Sequence, residues 1–273
     1  MNSLLGAEEH FAFGENWKSF VHLLDDKRIE NAENGLRRLL PNDELKGKRF
    51  LDIGCGSGLS ALAALRLGAA SVDAIDIDAD SVAATKATLS RYAPDHRWSA
   101  RVGSVFDLTP APQTGYDIVH SWGVLHHTGD MWRAIKMAAS QVGPGGRFVL
   151  SLYNKTPSCG FWTWEKEFYS KAPNFVQATL RGAFKSVKFS RMLLTGENPF
   201  AYVRDYHTNR GMDWSHDVHD WLGGYPYESA SPESVRSFLH GLGFTMLREF
   251  LIPPGRGILG SGCNEFVAIR GVA

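Results

Sequence analysis

Short apolar runs alternate with amphipathic segments through the middle of the chain, from about residue 49 to residue 152. The apolar runs have the length and residue types of β-strands, and they are Arg49–Ile53, Ser71–Asp76, Trp98–Gly103, Asp117–Ser121 and Arg147–Tyr153. The segments between them predict helices at Leu59–Leu67, Asp80–Arg91 and Asp130–Gln141. A leading helix is predicted from about Gly14 to Leu40, where Pro41 ends it. Strands that alternate with helices over short linkers indicate a parallel sheet covered on both faces.

Residues 154–230 break this alternation. They are rich in Trp, Tyr, His and Arg and show no clear strand, which predicts an insertion, helical at first and loop-like after Gly196. Ser231 then caps a helix that runs to about Gly241. Two closing strands follow, Phe244–Ile252 and Glu265–Arg270. The chain thus divides into four segments, namely 1–47, 48–153, 154–230 and 231–273.

The composition narrows the class of protein. Hydrophobic residues make up 44% and charged residues 21% of the 273 positions, which is ordinary for a soluble domain. Lys plus Arg equals Asp plus Glu, so the basic excess typical of nucleic-acid binding is missing. The three cysteines are far apart and indicate neither a disulfide framework nor a zinc site. No segment predicts stable membrane insertion or a secretion signal, and we expect a cytoplasmic protein.

The strongest chemical motif covers residues 50–58, F-L-D-I-G-C-G-S-G, where an apolar strand enters a glycine loop that opens a helix. Glycines permit a tight turn and let a ligand approach the backbone near a helix N-terminus. The next strand ends in Asp76, where a carboxylate can accept from both ribose hydroxyls of a nucleoside. A dinucleotide-binding oxidoreductase prefers G-x-G-x-x-G, but its third glycine position is Leu59 here. The spacing favours a nucleoside with an amino-acid tail over a pyrophosphate.

Together with three later segments, this motif resembles the class I S-adenosylmethionine-dependent methyltransferases. The later segments are Gly103–Asp107 after the third strand, Tyr116–His127 at the fourth strand, and the Gly143–Gly146 turn before the fifth strand. The matches occur in the family's order over roughly residues 48–152. The resemblance implies a doubly wound α/β fold with a mostly parallel, seven-stranded sheet and an antiparallel edge strand. It also implies that residues 1–47 form a lid, that 48–153 bind the cofactor and that 154–230 cover the acceptor.

The resemblance assigns S-adenosyl-L-methionine as the cofactor and places three groups of residues around it. Gly54, Gly56 and Gly58 line its methionine part, Asp76 binds its ribose, and Asp107 its adenine beside the backbone of Phe106. The remaining cofactor residues implied are Asp52, Cys55, Ile77 and Ser121. Other interpretations stay open, because an acid near Asp76 can simply cap the next helix and Asp107 can simply form a turn.

Candidate acceptor residues lie after the fourth strand and in the insertion. His126 and His127 follow that strand, where a base can reach an acceptor near the methyl group, although a structural role is favoured over catalysis for either one alone. His216 is a third candidate base, in a His/Asp-rich stretch where substrate binding is favoured over a metal. The candidate substrate residues are Trp17, Trp122, His207, Arg210, His219 and Tyr225. Trp17 belongs to an aromatic segment that is either a lid or core packing.

Basic and aromatic residues are also mixed between Lys155 and Arg191. Such a segment can touch a membrane surface or an anionic substrate, or it can be a lid helix whose aromatic face packs on the core; the sequence favours the second interpretation.

Methylation of a small molecule on O, N or S, for example in secondary-metabolite or glycan biosynthesis, is the leading hypothesis. Methylation of RNA or protein is the alternative, but the chain lacks the Asn/Asp-Pro-Pro-Tyr/Phe signature of exocyclic base methylation. A nucleotide-binding oxidoreductase and a non-catalytic cofactor-binding protein are further alternatives. The sequence does not indicate an oligomeric state.

Overall fold

A computed structural model describes residues 24–110, 114–210, 214–253 and 261–272, apart from the side chains of residues 207–210 and 216. Its strands are β1 Arg49–Ile53, β2 Ser71–Asp76, β3 Trp98–Val102, β4 Tyr116–Trp122, β5 Val142–Tyr153, β6 Phe244–Phe250 and β7 Cys263–Arg270. The helices of the core are α1 Asp26–Leu39, α2 Leu59–Arg66, α3 Ala79–Tyr92 and α4 Met131–Ala139. The remaining helices are α5 Cys159–Lys171, α6 Asn174–Leu194, α7 Pro199–Arg210, α8 Trp214–Gly223 and α9 Pro232–Gly241.

All the described strands form one sheet in the order β3-β2-β1-β4-β5-β7-β6. Strands β1 to β5 pair in parallel, whereas β7 runs antiparallel to both of its neighbours, β5 and β6, at one side of the sheet. The predicted doubly wound, mostly parallel seven-stranded sheet is confirmed. Strand β1 lies beside both β2 and β4, so the strand order reverses there, and ligands of such sheets bind outside the carboxyl ends of the strands at this point.

Two apolar layers cover the sheet. On one face, α1 and α2 pack on Phe50, Val72 and Ile118. On the other face, α4 and α9 pack on Leu51, Val119 and other inward residues of the strands. Because successive strand residues point to opposite faces, neighbouring residues such as Phe50 and Leu51 serve different layers. Residues at the carboxyl ends of β1, β2 and β4 are thereby held on a rigid support.

The glycine loop between β1 and α2 is closely packed as well as sharply turned. Gly54 and Gly58 have φ of +78° and +77°, which side chains rarely adopt. A Cβ atom on Gly54 would lie 2.3 Å from Cγ2 of Val124, and one on Gly58 would lie 2.9 Å from Cα of Thr85. These glycines therefore let the loop approach the segment after β4 and helix α3.

Two element predictions were wrong. The segment after Gly196 is not loop-like over 199–210 and 214–223, because α7 and α8 bury Tyr206, Val218 and Leu222. The many His and Asp residues of this segment made it look like a polar loop, but each helix also has an apolar face that packs inside the insertion. The Gly143–Gly146 turn does not precede β5 but lies inside it, since Tyr116 pairs with Val142 while Ile118 pairs with Arg147. The extra residues bulge out of the strand pair.

The leading helix α1 is described from Asp26, capped by the side chain of Asp25. The part of the predicted helix from Gly14 to residue 23 lies outside the described residues. No helix of the part of the chain that the structure describes is long and apolar enough to span a membrane.

Candidate active site

Asp52 lies at the centre of the sheet with a partner that the sequence did not reveal. Its Oδ1 is 2.8 Å from Nδ1 of His120 on the adjacent strand β4, and both side chains are 2% exposed. Its Oδ2 is buried and has no hydrogen-bond partner. Burying a carboxylate oxygen without a donor costs free energy, so this atom fits a donor from a bound ligand.

Asp76 connects the end of β2 to the glycine loop. Its Oδ2 accepts from the backbone N–H of Gly56 and its Oδ1 from that of Asp78, both at 3.0 Å. Burial raises the pKa of Asp76, while these two backbone hydrogen bonds act against the rise. Each carboxylate oxygen retains a second lone pair, so Asp76 can still accept from ribose hydroxyls. The helix-capping role belongs to Asp78, whose side chain accepts from the first turn of α3.

Three other predicted cofactor residues differ in their burial and in the groups that a ligand could contact. Cys55 is buried against Ala74 and Val82, and burial raises the pKa of its thiol, so it serves packing. Ser121 is buried and donates its hydroxyl to the carbonyl of Ile53 at 3.0 Å. Ile77 is 42% exposed directly after Asp76 and offers an apolar surface.

Asp107 and Phe106 lie in a short helical turn after β3. Asp107 is exposed and lines a cavity of about 320 Å³ together with Asp73, Arg101 and Tyr116. Asp73 and Asp76 are three positions apart on β2, so their side chains point to opposite faces of the sheet. The cavity therefore brings Asp107 together with Asp73, and the adenine role of Asp107 stays a prediction. The guanidinium carbon of Arg133 lies over the ring of Phe106, 4.8 Å from the ring centroid.

The two adjacent histidines after β4 carry their protons on different nitrogens. Nδ1 of His126 accepts from the backbone N–H of Tyr153 at 3.3 Å, so neutral His126 has its proton on Nε2, which is buried. Burial, followed by the charges of His127 and Lys166, lowers the pKa of His126 well below its usual value. His126 is thus held neutral as a donor rather than as a base.

His127 has the opposite arrangement. Its Nδ1 is 2.7 Å from the carbonyl oxygen of Pro226, which can only accept, so the proton is on Nδ1. In the neutral ring the basic lone pair is then on Nε2. Gly224 allows this close contact, because a Cβ atom there would lie 2.7 Å from Cε1 of His127.

Aromatic rings surround the two histidines where the insertion meets the sheet. The ring of Tyr153 lies 3.9 Å from that of His126 and 5.3 Å from that of His127, measured between centroids. Trp221 and Tyr227 lie 5.4 and 5.1 Å from Tyr153. We refer to Tyr153, Trp221 and Tyr227 as the aromatic wall. None of these three residues was predicted as a site residue.

Lys166 of α5 is fully buried behind the aromatic wall, with its ammonium 3.7 Å from the ring centroid of Trp221. Its Nζ donates to the carbonyl of Trp221. Burial lowers the pKa of Lys166 and raises the pKa of the adjacent Glu165. A second buried network connects Cys159 of α5 to the hydroxyl of Tyr227, which donates to Ser261 at 2.9 Å. These contacts hold α5 against the end of the sheet.

The other predicted acceptor residues are dispersed. Trp122 is 38% exposed at the end of β4 and stacks on His120 with centroids 6.0 Å apart. Nδ1 of His219 is 2.7 Å from the hydroxyl of buried Tyr169, which places His219 inside the insertion. Tyr225 is half-buried, 6.0 Å from the ammonium of Lys171. Trp17 and the side chains of His207, Arg210 and His216 lie outside the described residues. Across the described ranges, no group of three or more His, Cys, Asp or Glu residues is arranged to hold a metal ion.

This strand order, with a glycine loop and two carboxylates at the reversal point, defines the class I methyltransferases. The family model described as a methyltransferase domain matches residues 24–249. The chain therefore belongs to the methyltransferase domain family. The family model and the fold confirm the predicted resemblance to the class I methyltransferases.

Curated relatives match the core. A ubiquinone biosynthesis O-methyltransferase of Xanthomonas euvesicatoria pv. vesicatoria is 36% identical over 138 residues, 50% of this chain and 54% of that protein. The protein of the same description from Xanthomonas oryzae pv. oryzae is 40% identical over 139 residues, with the same shares of each chain. The chain thus spans about half the length of the curated relatives that it matches.

Solved structures share the fold at low identity. The magnesium protoporphyrin IX methyltransferase of Synechocystis PCC 6803 with bound SAH has a TM-score of 0.55 at 16% identity, covering 90% of this chain and 84% of its own. An S-adenosylmethionine-dependent methyltransferase from Mesorhizobium loti has a TM-score of 0.52 at 20% identity, covering 88% and 98%. A [4+2]-cyclase has a TM-score of 0.56 at 15% identity, covering 89% and 81%. This likeness shows the fold alone.

Proposed function

We propose that this chain transfers a methyl group from S-adenosylmethionine to a hydroxyl group of a small acceptor that has a flat, apolar part. The observation that carries the proposal is the position of His127, whose basic nitrogen is defined by the carbonyl of Pro226 beside the aromatic wall. The relatives named as O-methyltransferases support a hydroxyl acceptor over an amine or a thioether.

The cofactor is held by the glycine loop, Asp52 and Asp76. The unpartnered Oδ2 of Asp52 would accept from the ammonium of the methionine part, and the remaining lone pairs of Asp76 would accept from the ribose hydroxyls. Ile77 supplies an exposed apolar surface for the adenine. When bound, the cofactor supplies an electrophilic methyl group on a sulfonium.

His127 takes the proton of the acceptor hydroxyl at Nε2. Methyl transfer is an in-line displacement, so the protein must place the acceptor oxygen and remove its proton. His126 is unsuited to this task, because its buried Nε2 already carries the proton and its pKa is lowered. His126 instead positions His127, with ring centroids 4.4 Å apart.

The acceptor lies between the aromatic wall and Trp122. The ring of Tyr153 packs against those of Trp221 and Tyr227, and an aromatic cluster of this kind binds flat apolar groups through burial and edge-to-face contacts. Trp17, His207, Arg210 and His216 stay predicted acceptor residues, with His216 the second candidate base. His219 and Tyr225 act by supporting the insertion.

We propose a cytoplasmic enzyme without a nucleic-acid partner, because the charge of the chain is balanced.

The reaction itself needs a direct test, because a [4+2]-cyclase shares this fold. A small-molecule extract of the host is incubated with the purified chain and S-adenosylmethionine that carries a trideuterated methyl group. Mass spectrometry should detect a product that has gained the labelled methyl group on an oxygen, together with S-adenosylhomocysteine. Label on protein or RNA instead of a small molecule would contradict the proposed acceptor class.

A further inference from the structure

Large apolar side chains are exposed mainly on the insertion. Helix α5 exposes Phe161, Trp164 and Phe168 by 57%, 61% and 48%. These residues are three and four positions apart and therefore share one helix face. Trp164 stacks on Phe168 with ring centroids 5.9 Å apart. The prediction that the aromatic face packs on the core is wrong for this face, because Trp162 and Tyr169 fill that role.

Helix α6 also exposes large apolar side chains. It exposes Phe175, Val187, Leu193 and Leu194 by 73%, 54%, 57% and 89%. Its 21 residues extend over about 31 Å, at about 1.5 Å per residue. Among these residues are four basic side chains, Arg181, Lys185, Lys188 and Arg191, and no acidic one. We refer to the exposed residues of α5 and α6 together as the insertion patch.

The charge around the insertion patch is mainly positive, although the chain as a whole is neutral. Residues 155–194 contain the buried pair Glu165 and Lys166. Apart from that pair, the segment holds six basic residues and a single acidic residue, Glu167. An apolar helix face next to a basic rim is the pattern of helices that lie in the headgroup region of a membrane. Lys and Arg side chains can extend from such a face towards the phosphates.

We propose that the insertion patch binds the chain to the surface of an anionic lipid bilayer. The aromatic and aliphatic residues enter the headgroup boundary, and Lys171, Lys188 and Arg191 contact anionic headgroups. A protein partner would need a surface shaped to fit both the exposed apolar residues and the basic residues beside them. An anionic bilayer is complementary to both, because it offers an apolar interior and negatively charged headgroups. None of the described helices can cross a bilayer, so the contact is peripheral. This inference does not depend on the identity of the acceptor.

The test measures sedimentation with vesicles in the absence of cofactor and acceptor. Vesicles of phosphatidylcholine with phosphatidylglycerol are compared with vesicles of phosphatidylcholine alone. The chain should sediment with the anionic vesicles and be released by salt. The pair Lys171→Gln and Arg191→Gln should weaken binding about fivefold for each charge removed, from about 1 kcal/mol for each basic residue near the surface.

A second set of variants tests the apolar part. Trp164→Ser combined with Leu194→Ser should abolish sedimentation, whereas Leu247→Ser should not, because Leu247 is exposed on β6 outside the insertion patch. Cofactor binding by calorimetry confirms that each variant is folded. Equal sedimentation with neutral vesicles, no sedimentation, or unchanged sedimentation of the double variant would overturn the proposal. So would a lipid-free oligomer that the double variant dissociates, because a second copy would then cover the patch.

Discussion

Two neighbouring histidines carry their protons on different ring nitrogens, and this difference determines which of them can act as a base. A backbone N–H fixes the acceptor nitrogen of His126, and a backbone carbonyl fixes the donor nitrogen of His127. Side-chain identity alone does not distinguish a base from a structural imidazole, but these main-chain partners do. The same reasoning applies to Asp52, where one carboxylate oxygen is bonded and the other is open to a ligand.

His127→Asn should lower kcat by about 10²- to 10⁴-fold while leaving the Kd of S-adenosylmethionine unchanged, because it removes the base and no cofactor contact. Single-turnover kinetics and calorimetry measure the two quantities. His240→Asn is the matched control, since His240 is exposed on α9. If turnover survived in His127→Asn but was lost when His216 was replaced, the base would be His216 of the insertion.

Asp76→Ala should weaken the binding of S-adenosylmethionine by about 1–3 kcal/mol, the usual cost of leaving hydrogen-bonding groups without a partner. Calorimetry measures the change, and Asp95→Ala, an exposed acid after α3, provides the control. Unchanged cofactor affinity in Asp76→Ala would remove Asp76 from the site.

At the scale of elements, the glycine loop, the segment after β4 and the insertion converge on the carboxyl end of the sheet. The loop reaches Val124 through Gly54, and Gly224, the residue directly after α8, contacts His127. Both contacts are so close that a single methyl group would displace a neighbour. The arrangement of cofactor and acceptor residues therefore depends on how these elements pack against one another.

Gly54→Ala should reduce the free energy of unfolding by about 2–4 kcal/mol, combining the cost of a left-handed residue with that of overpacking. Val124→Ala removes the two methyl carbons that come closest to a Cβ atom at Gly54. Combining the two substitutions should therefore recover part of the overpacking cost, because Cβ of residue 124 stays 2.8 Å from the new methyl group, and should leave the backbone strain. Urea unfolding measures both variants against Gly35→Ala, a helical position with open space around it. A double variant that is no more stable than Gly54→Ala would contradict the packing argument.

At the scale of the whole molecule, burial of ionisable groups links stability to pH. Folded His126 remains neutral at a pH where the unfolded chain already binds a proton, because burial lowers its pKa. The unfolded state therefore holds more protons as the pH falls below about 6.5, and the folded state loses stability there.

The contribution of His126 to the free energy of unfolding should be complete above pH about 6.5 and should fall by up to about 1.4 kcal/mol for each pH unit below it. His126→Phe removes this titration and keeps a ring of similar size. Denaturant unfolding between pH 8 and pH 5 should show a steeper decline in the wild type than in the variant. Parallel curves would show that His126 is not held neutral. Because Asp76 and Glu165 also titrate in the folded protein with raised pKa values, the difference between the two proteins is the relevant quantity.

Local sequence determined the repeated strands and helices of the core and the glycine loop. Strands β1 and β2 have the predicted bounds, and α3 differs by one residue at each end, because periodicity and capping act over a few neighbouring positions. The order of motifs then sufficed for the cofactor class and for Asp52, Gly54 and Asp76 as candidates. These inferences need no knowledge of how distant segments meet.

Only the tertiary structure decided which side chains act together. The pairing of Asp52 with His120 depends on the register of β1 against β4, and the proton positions of the two histidines depend on Tyr153 and Pro226. Pro226 is 99 positions from His127. The helices after Gly196 form because distant apolar faces bury one another, which outweighs their polar composition. Hydrogen bonding and burial are set by distance in space, so sequence patterns predict the elements but not these contacts.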